Sequence, residues 1–173
     1  MLATREPARA AAEMDSVTAL AGAAHAELRA VISGLAPPDL RECGLAESLR
    51  RYAALAGLAH GVRVNVMAGD VPPLGTARDT AVYRVAQEAL HNALRHSGAP
   101  GIDISICRTA SHFTLAVTDS GRGFSPEAPS AGLGLSSMRQ RAEEAGGVLT
   151  VRSAPGEGTT IRLGIPVDQG SRR

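Results

Sequence analysis

The chain has no tryptophan and only two tyrosines and two phenylalanines in its 173 residues. Its core must therefore be built mainly from Ala, Val, Leu and Ile, and aromatic platforms for stacking bases are not expected. Its two cysteines, Cys43 and Cys107, stand far apart without the spacing of a metal site. No hydrophobic run reaches membrane-spanning length or resembles a signal peptide, so a cytoplasmic protein without a membrane segment is the expectation. A formal net charge of +1 offers no electrostatic case for nucleic acid or an acidic membrane as partner. There is no G-x-x-x-x-G-K-[ST] run, which excludes a P-loop, and no internal repeat. A chain of this length can hold one good core, or one core plus an extra helical element.

What is present is organised around the stretch from Tyr83 to His96. Val82, Val85, Ala86, Ala89, Leu90 and Ala93 recur at helical spacing and predict an amphipathic helix lying on a sheet, with Thr76 as its cap. Glu88 and Asn92, four residues apart, fall one turn above the other beside that stripe, where a carboxylate and an amide oxygen can share one small target. Arg95 and His96 follow. They could reach phosphates or ribose, or simply complement the dipole of an exposed helix end.

Three glycine-bearing turns come after this helix. A strand runs into Asp119-Ser120-Gly121-Arg122-Gly123, then Gly132-Leu133-Gly134-Leu135 opens another helix, and Gly156-Glu157-Gly158-Thr159-Thr160 leads into a final strand. Asp119 at a strand end can accept a hydrogen bond from an exocyclic amine, which favours adenine over guanine at that edge. Gly121 and Gly123 allow a tight turn beside the ring. Gly132 and Gly134 precede a helix whose free backbone N–H groups suit phosphate oxygens. Asn92 offers a neutral oxygen to Mg²⁺, which takes few protein ligands.

In this order the motifs resemble the histidine-kinase branch of the GHKL ATPase superfamily, in particular sensor kinases of the nitrate/nitrite-sensor type, from about Pro37 onward. The resemblance implies ATP and Mg²⁺ as cofactors and transfer of the γ-phosphoryl to a histidine for relay to a response regulator. It implies that Asp119 specifies adenine, that Asn92 holds the metal and that Glu88 is the general base. Gly121, Gly123, Gly132, Leu133, Gly134, Leu135, Arg95 and His96 would complete the nucleotide site. Thr159 matches a threonine that supports the adenine pocket, a plain strand threonine being the alternative. The segment from Ser125 to Ala131 corresponds to an ATP lid, expected to order when nucleotide binds.

The remaining pattern predicts an α+β fold: a two-layer sandwich, a mixed sheet with helices on one face, preceded by a long N-terminal helix. Met14, Val17, Ala21, Ala24, Leu28, Val31 and Leu35 form the seam of that helix, which Pro37-Pro38 ends. By resemblance it is the second helix of a dimerisation and phosphotransfer hairpin, giving a homodimer through the N-terminal helix. His25 is followed by Ala26 rather than an acidic residue and reads as structural, so the phospho-accepting histidine helix is expected from the full-length chain or a partner. The chain is then either a piece of a longer protein or a shortened kinase. The expected organisation is 1–38 as partial dimerisation region, 39–168 as ATP-binding catalytic domain and 169–173 as a disordered tail. Within the domain, a helix from Gly44 to His60 carries Leu45, Leu49, Tyr52, Ala56 and Ala59 on one side and ends at Gly61. Alternating strands follow at Val62–Val66, Ile102–Ile106, Phe113–Val117, Leu149–Val151 and Ile161–Ile165, with a helix from Leu135 to Ala145. Two competing functions are a serine kinase of the anti-sigma-factor type, which shares the ATP site, and a non-catalytic ATP-binding dimerisation module.

Overall fold

The computed structural model describes residues 38–69, 71–126 and 133–167. The N-terminal seam helix with His25, the stretch 127–132 that holds Gly132 and most of the expected lid, and the tail from 168 lie outside the described residues.

Eight elements follow in chain order: α1 (Pro38–His60), β1 (Arg63–Ala68), α2 (Thr76–His96), β2 (Gly101–Arg108), β3 (His112–Asp119), α3 (Leu133–Glu144), β4 (Val148–Ser153) and β5 (Thr159–Pro166). The five strands make one sheet in the order β1-β2-β3-β5-β4. β1 and β2 run parallel and the other neighbours antiparallel, so the sheet is mixed as expected.

Period-two alternation decides the layers. Ile102, Ile104 and Ile106 of β2, Phe113, Leu115 and Val117 of β3, and Ile161, Leu163 and Ile165 of β5 are buried on one face. The helices cover that face. The whole stripe expected of α2 is buried, joined by Tyr83, and packs with Leu45, Leu49 and Ala53 of α1 and with Leu135, Met138 and Ala142 of α3. On the other face Asp103, Cys107, Thr118, Arg162, Thr150 and Arg152 are exposed. Asn65 Nδ2 donates to Asp103 Oδ1 across β1 and β2 there at 2.9 Å.

Local structure differs from expectation in four places. Helix α1 begins at Pro38 and bends at Gly44, where the backbone leaves the helical region (φ 76°, ψ 173°) and Ser48 Oγ donates to the Gly44 carbonyl at 2.8 Å. Its inner side carries Ala53, whereas Ala59 is exposed and Gly57 is the buried residue of the last turn, against Val64. Gly61 does close it, with φ 65° and Val62 N–H donating to the Gly57 carbonyl at 3.0 Å. Thr76 does not cap α2: it is the first helical residue after Gly75. Asp79 in the first turn reaches back instead, its carboxylate accepting the backbone N–H groups of Leu74 and Gly75. Helix α3 starts at Leu133, two residues early, which puts Gly134 inside its first turn.

Candidate functional site

Sheet register brings the candidate residues to one end of the molecule. Ile102 pairs with Asp119, Asp119 with Thr159, and Thr159 with Ser153, a single line across four strands. Helix α2 ends over the same region, because Ser97 just beyond it accepts the Arg122 N–H on its carbonyl at 2.8 Å. The Arg122 carbonyl in turn accepts the Gly156 N–H at 2.7 Å, so the turn after β3 is tied on both sides.

A cavity of about 510 Å³ opens there. Its apolar walls come from Ala89 and Ala93 of α2, Val117 of β3, Leu135 of α3 and Ile161 of β5. Its polar groups include Asn92, His96, Ser97, Asp119 and Thr159. A largely apolar concavity with a few converging polar groups is the usual form of a small-molecule site.

Asp119 is only 7% exposed. Its Oδ1 accepts the Gly121 N–H at 2.9 Å, and the backbone N–H of Thr159 also donates to the carboxylate. Burial pushes its acid above the usual carboxylate range, and the two backbone donors pull it part of the way back. A carboxylate fixed in this way is a rigid acceptor.

Gly123 and Gly134 both stand where a side chain would meet close neighbours. Gly123 has φ 58°, and a Cβ on it would strike the Ala154 carbonyl and come within 2.8 Å of the Gly158 carbonyl. Gly134 lies against the polar edge of α2. A Cβ there would stand 2.6 Å from Glu88 Oε1 and 3.2 Å from Asn92 Nδ2. The first turn of α3 therefore meets α2 at the two residues singled out by spacing.

The other sequence-derived residues are distributed as follows. His96, Gly123, Gly134, Leu135 and Thr159 line the cavity with Asn92 and Asp119. Glu88 is half-buried one turn before Asn92, behind the lining, and Gly121 stands behind Asp119. Arg95 and Leu133 are exposed and outside the lining, Leu133 at 83%. Residues not singled out by spacing also line it, among them Ser97, Arg122, Ser125 and Phe124. Phe124 corrects the expectation that aromatic contact was not on offer: one of the two phenylalanines sits directly after the D-x-G-x-G turn and faces the cavity. Its position beside that motif was the available signal; its rarity in the composition hid it.

Fold and site together define an ATPase domain of two layers. The chain belongs to the histidine kinase-, DNA gyrase B- and HSP90-like ATPase family, whose pattern matches residues 77–169, just over half of the chain. Among curated relatives it is 35% identical over 156 residues to the sensor histidine kinase YhcY of Bacillus subtilis (strain 168), covering 89% of this chain and 40% of that protein. It is 32% identical over 149 residues to the sensor histidine kinase LiaS of the same organism, covering 86% and 41%. The chain thus spans about two fifths of the length of these relatives. Among solved structures, the histidine kinase domain of the Erythrobacter litoralis EL346 blue-light activated histidine kinase superposes with a TM-score of 0.64 at 25% identity, over 72% of this chain and 66% of that one. The Acinetobacter baumannii histidine kinase AdeS shares the fold, with a TM-score of 0.60 at 17% identity over 72% and 64%. The α+β architecture expected from the sequence is the one these domains have. Among the described residues no helix is long and apolar enough to cross a membrane.

Proposed function

We propose that this chain is the ATP-binding catalytic region of a two-component sensor histidine kinase of the nitrate/nitrite-sensor type, acting on the cytoplasmic side and transferring the γ-phosphoryl of ATP to a histidine for relay to a response regulator. The observation that carries this reading is the convergence on one cavity of a buried carboxylate, Asp119, with the polar edge of α2, against which the first turn of α3 is packed. Asp119 accepts a hydrogen bond from an adenine amine, whereas a guanine carbonyl in the same place would meet it as a second acceptor. His96 and the N–H groups opening α3 suit phosphate oxygens.

Asn92 is the residue that would hold Mg²⁺ together with the phosphates, and the ion, when bound, neutralises charge on the transferring group. Glu88 would take the proton from the ring nitrogen of the acceptor histidine, and the close approach of Gly134 of α3 to that carboxylate supports the reading. Residues 1–38 would be the second helix of the dimerisation hairpin and 39–168 the catalytic domain. The acceptor helix would come from the full-length chain or a partner.

The test has two stages. Calorimetry should detect binding of Mg-ATP, and its absence would overturn the reading. Incubation with γ-labelled ATP and a hairpin fragment bearing the acceptor histidine should then give acid-labile protein phosphate. Acid-stable label would identify a serine kinase, and binding without transfer a non-catalytic module.

A further inference from the structure

Ser153, at the end of β4, is half-buried behind the cavity, and three groups meet its hydroxyl. The Phe124 N–H donates to Ser153 Oγ at 2.9 Å. The Gly158 carbonyl, also at 2.9 Å, can only accept, so the single proton of Ser153 is committed to it. The third neighbour is Thr159 Oγ1, again at 2.9 Å. With the Ser153 proton spent, Thr159 must be the donor in that contact; otherwise two oxygens would face each other without a proton between them.

The consequence falls on the cavity, which Thr159 lines. A threonine hydroxyl ordinarily rotates to donate or accept as a ligand requires. Here its proton is turned away, and only lone pairs remain for a ligand. Thr159 pairs directly with Asp119 across β3 and β5, and Asp119 lines the same cavity. We propose that Ser153 is a positioning residue for base selectivity: by holding the Thr159 proton it makes Asp119 and Thr159 a pair of adjacent acceptors that read both protons of an exocyclic amine. This rests on the adenine-nucleotide reading above and extends it to a residue that does not line the site.

The test compares ADP with inosine diphosphate, in which a carbonyl replaces the amine, by calorimetry on the wild type, Ser153→Ala, Thr159→Val and the double variant. The wild type should prefer ADP. Ser153→Ala frees the threonine to turn its proton towards a carbonyl, and the ADP-to-inosine-diphosphate affinity ratio should fall by about tenfold, the worth of one hydrogen bond. Thr159→Val leaves the bonds of Ser153 to Phe124 and Gly158 intact and should lower the ratio by a similar factor. Adding Ser153→Ala to it should change the ratio no further. Ser153→Thr, which keeps the hydroxyl, should restore the wild-type ratio. A merely structural serine would weaken both nucleotides in parallel, and an unmoved ratio in Ser153→Ala overturns the proposal. If Ser153→Ala fails to fold, an unchanged ratio in Thr159→Val overturns it equally. A wild type that binds neither nucleotide would instead defeat the nucleotide reading itself.

Discussion

Asp119 shows how one side chain can be costly to the fold and useful to the site. Burial holds its acid above the ordinary value, so the folded chain binds its proton more tightly than the unfolded chain does. Such a group withdraws stability as pH rises through the folded pKa, and the loss is recovered as pH falls towards the unfolded value. Asp119→Asn keeps an acceptor for the Gly121 N–H and removes the charge. We expect a higher melting temperature than wild type for the ligand-free protein at about pH 7, a gain that disappears towards about pH 4, and no melting shift with ADP. Thermal melts across that range decide it. On the proposed reading, in which the ionised carboxylate is the acceptor, ADP affinity of the wild type should fall as acid titrates it. Glu88 lies behind the lining and should behave differently. Glu88→Gln is expected to bind ADP like wild type while phosphotransfer slows by about 10²- to 10⁴-fold, as loss of a general base would require. Single-turnover transfer measured beside calorimetry separates the two effects.

Helices and strands were legible where burial imposes a period. The apolar stripe of α2 and the alternation in β2, β3 and β5 are direct consequences of one face packing on another, and each expected residue is buried. The candidate site was legible to the extent that it depends on turns and on helical spacing, as with Asp119, Asn92 and Gly134. Other features depend on contacts between segments distant in sequence. Phe124 faces the cavity because Ser153 of another strand anchors its N–H, and Asp79 rather than Thr76 serves the start of α2 because the preceding loop folds back over it. No local spacing carries that information. The bend at Gly44 is similar: helical periodicity continues across it, while the backbone does not. At this scale the contact of α3 with α2 gives a prediction. Gly134→Ala adds a methyl 2.6 Å from Glu88 Oε1, so the carboxylate must move. Transfer should fall by more than tenfold while ADP affinity changes less, since Asp119 is untouched. Equal loss in both would mean that the two helices separate rather than that Glu88 shifts.

Among the described residues the candidate site lies at one end of the sheet and a strand-to-loop anchor towards the other. Six residues of β2 beyond Ile102, roughly 20 Å along the strand, Arg108 Nη1 donates to the carbonyls of Pro72 and Pro73 at 3.1 and 3.3 Å. Burial raises the acid of Asp79, and the backbone N–H groups of Leu74 and Gly75 and the same guanidinium pull it part of the way back. Arg108→Ala should therefore speed amide exchange around Leu74 and Gly75 and lower the melting temperature by a few degrees, about 1 kcal/mol. ADP affinity should not change; a change would mean that the two ends communicate. The order of strands has a further result. β5 follows β4 in the chain, yet it is inserted between β3 and β4, so a chain emerging from the ribosome holds a sheet with a missing interior member until residues 159–166 are free. Thr159, the partner of Asp119, arrives with that strand. On the proposed reading, a chain released only as far as β4 lacks half of the Asp119–Thr159 pair and should not retain a nucleotide.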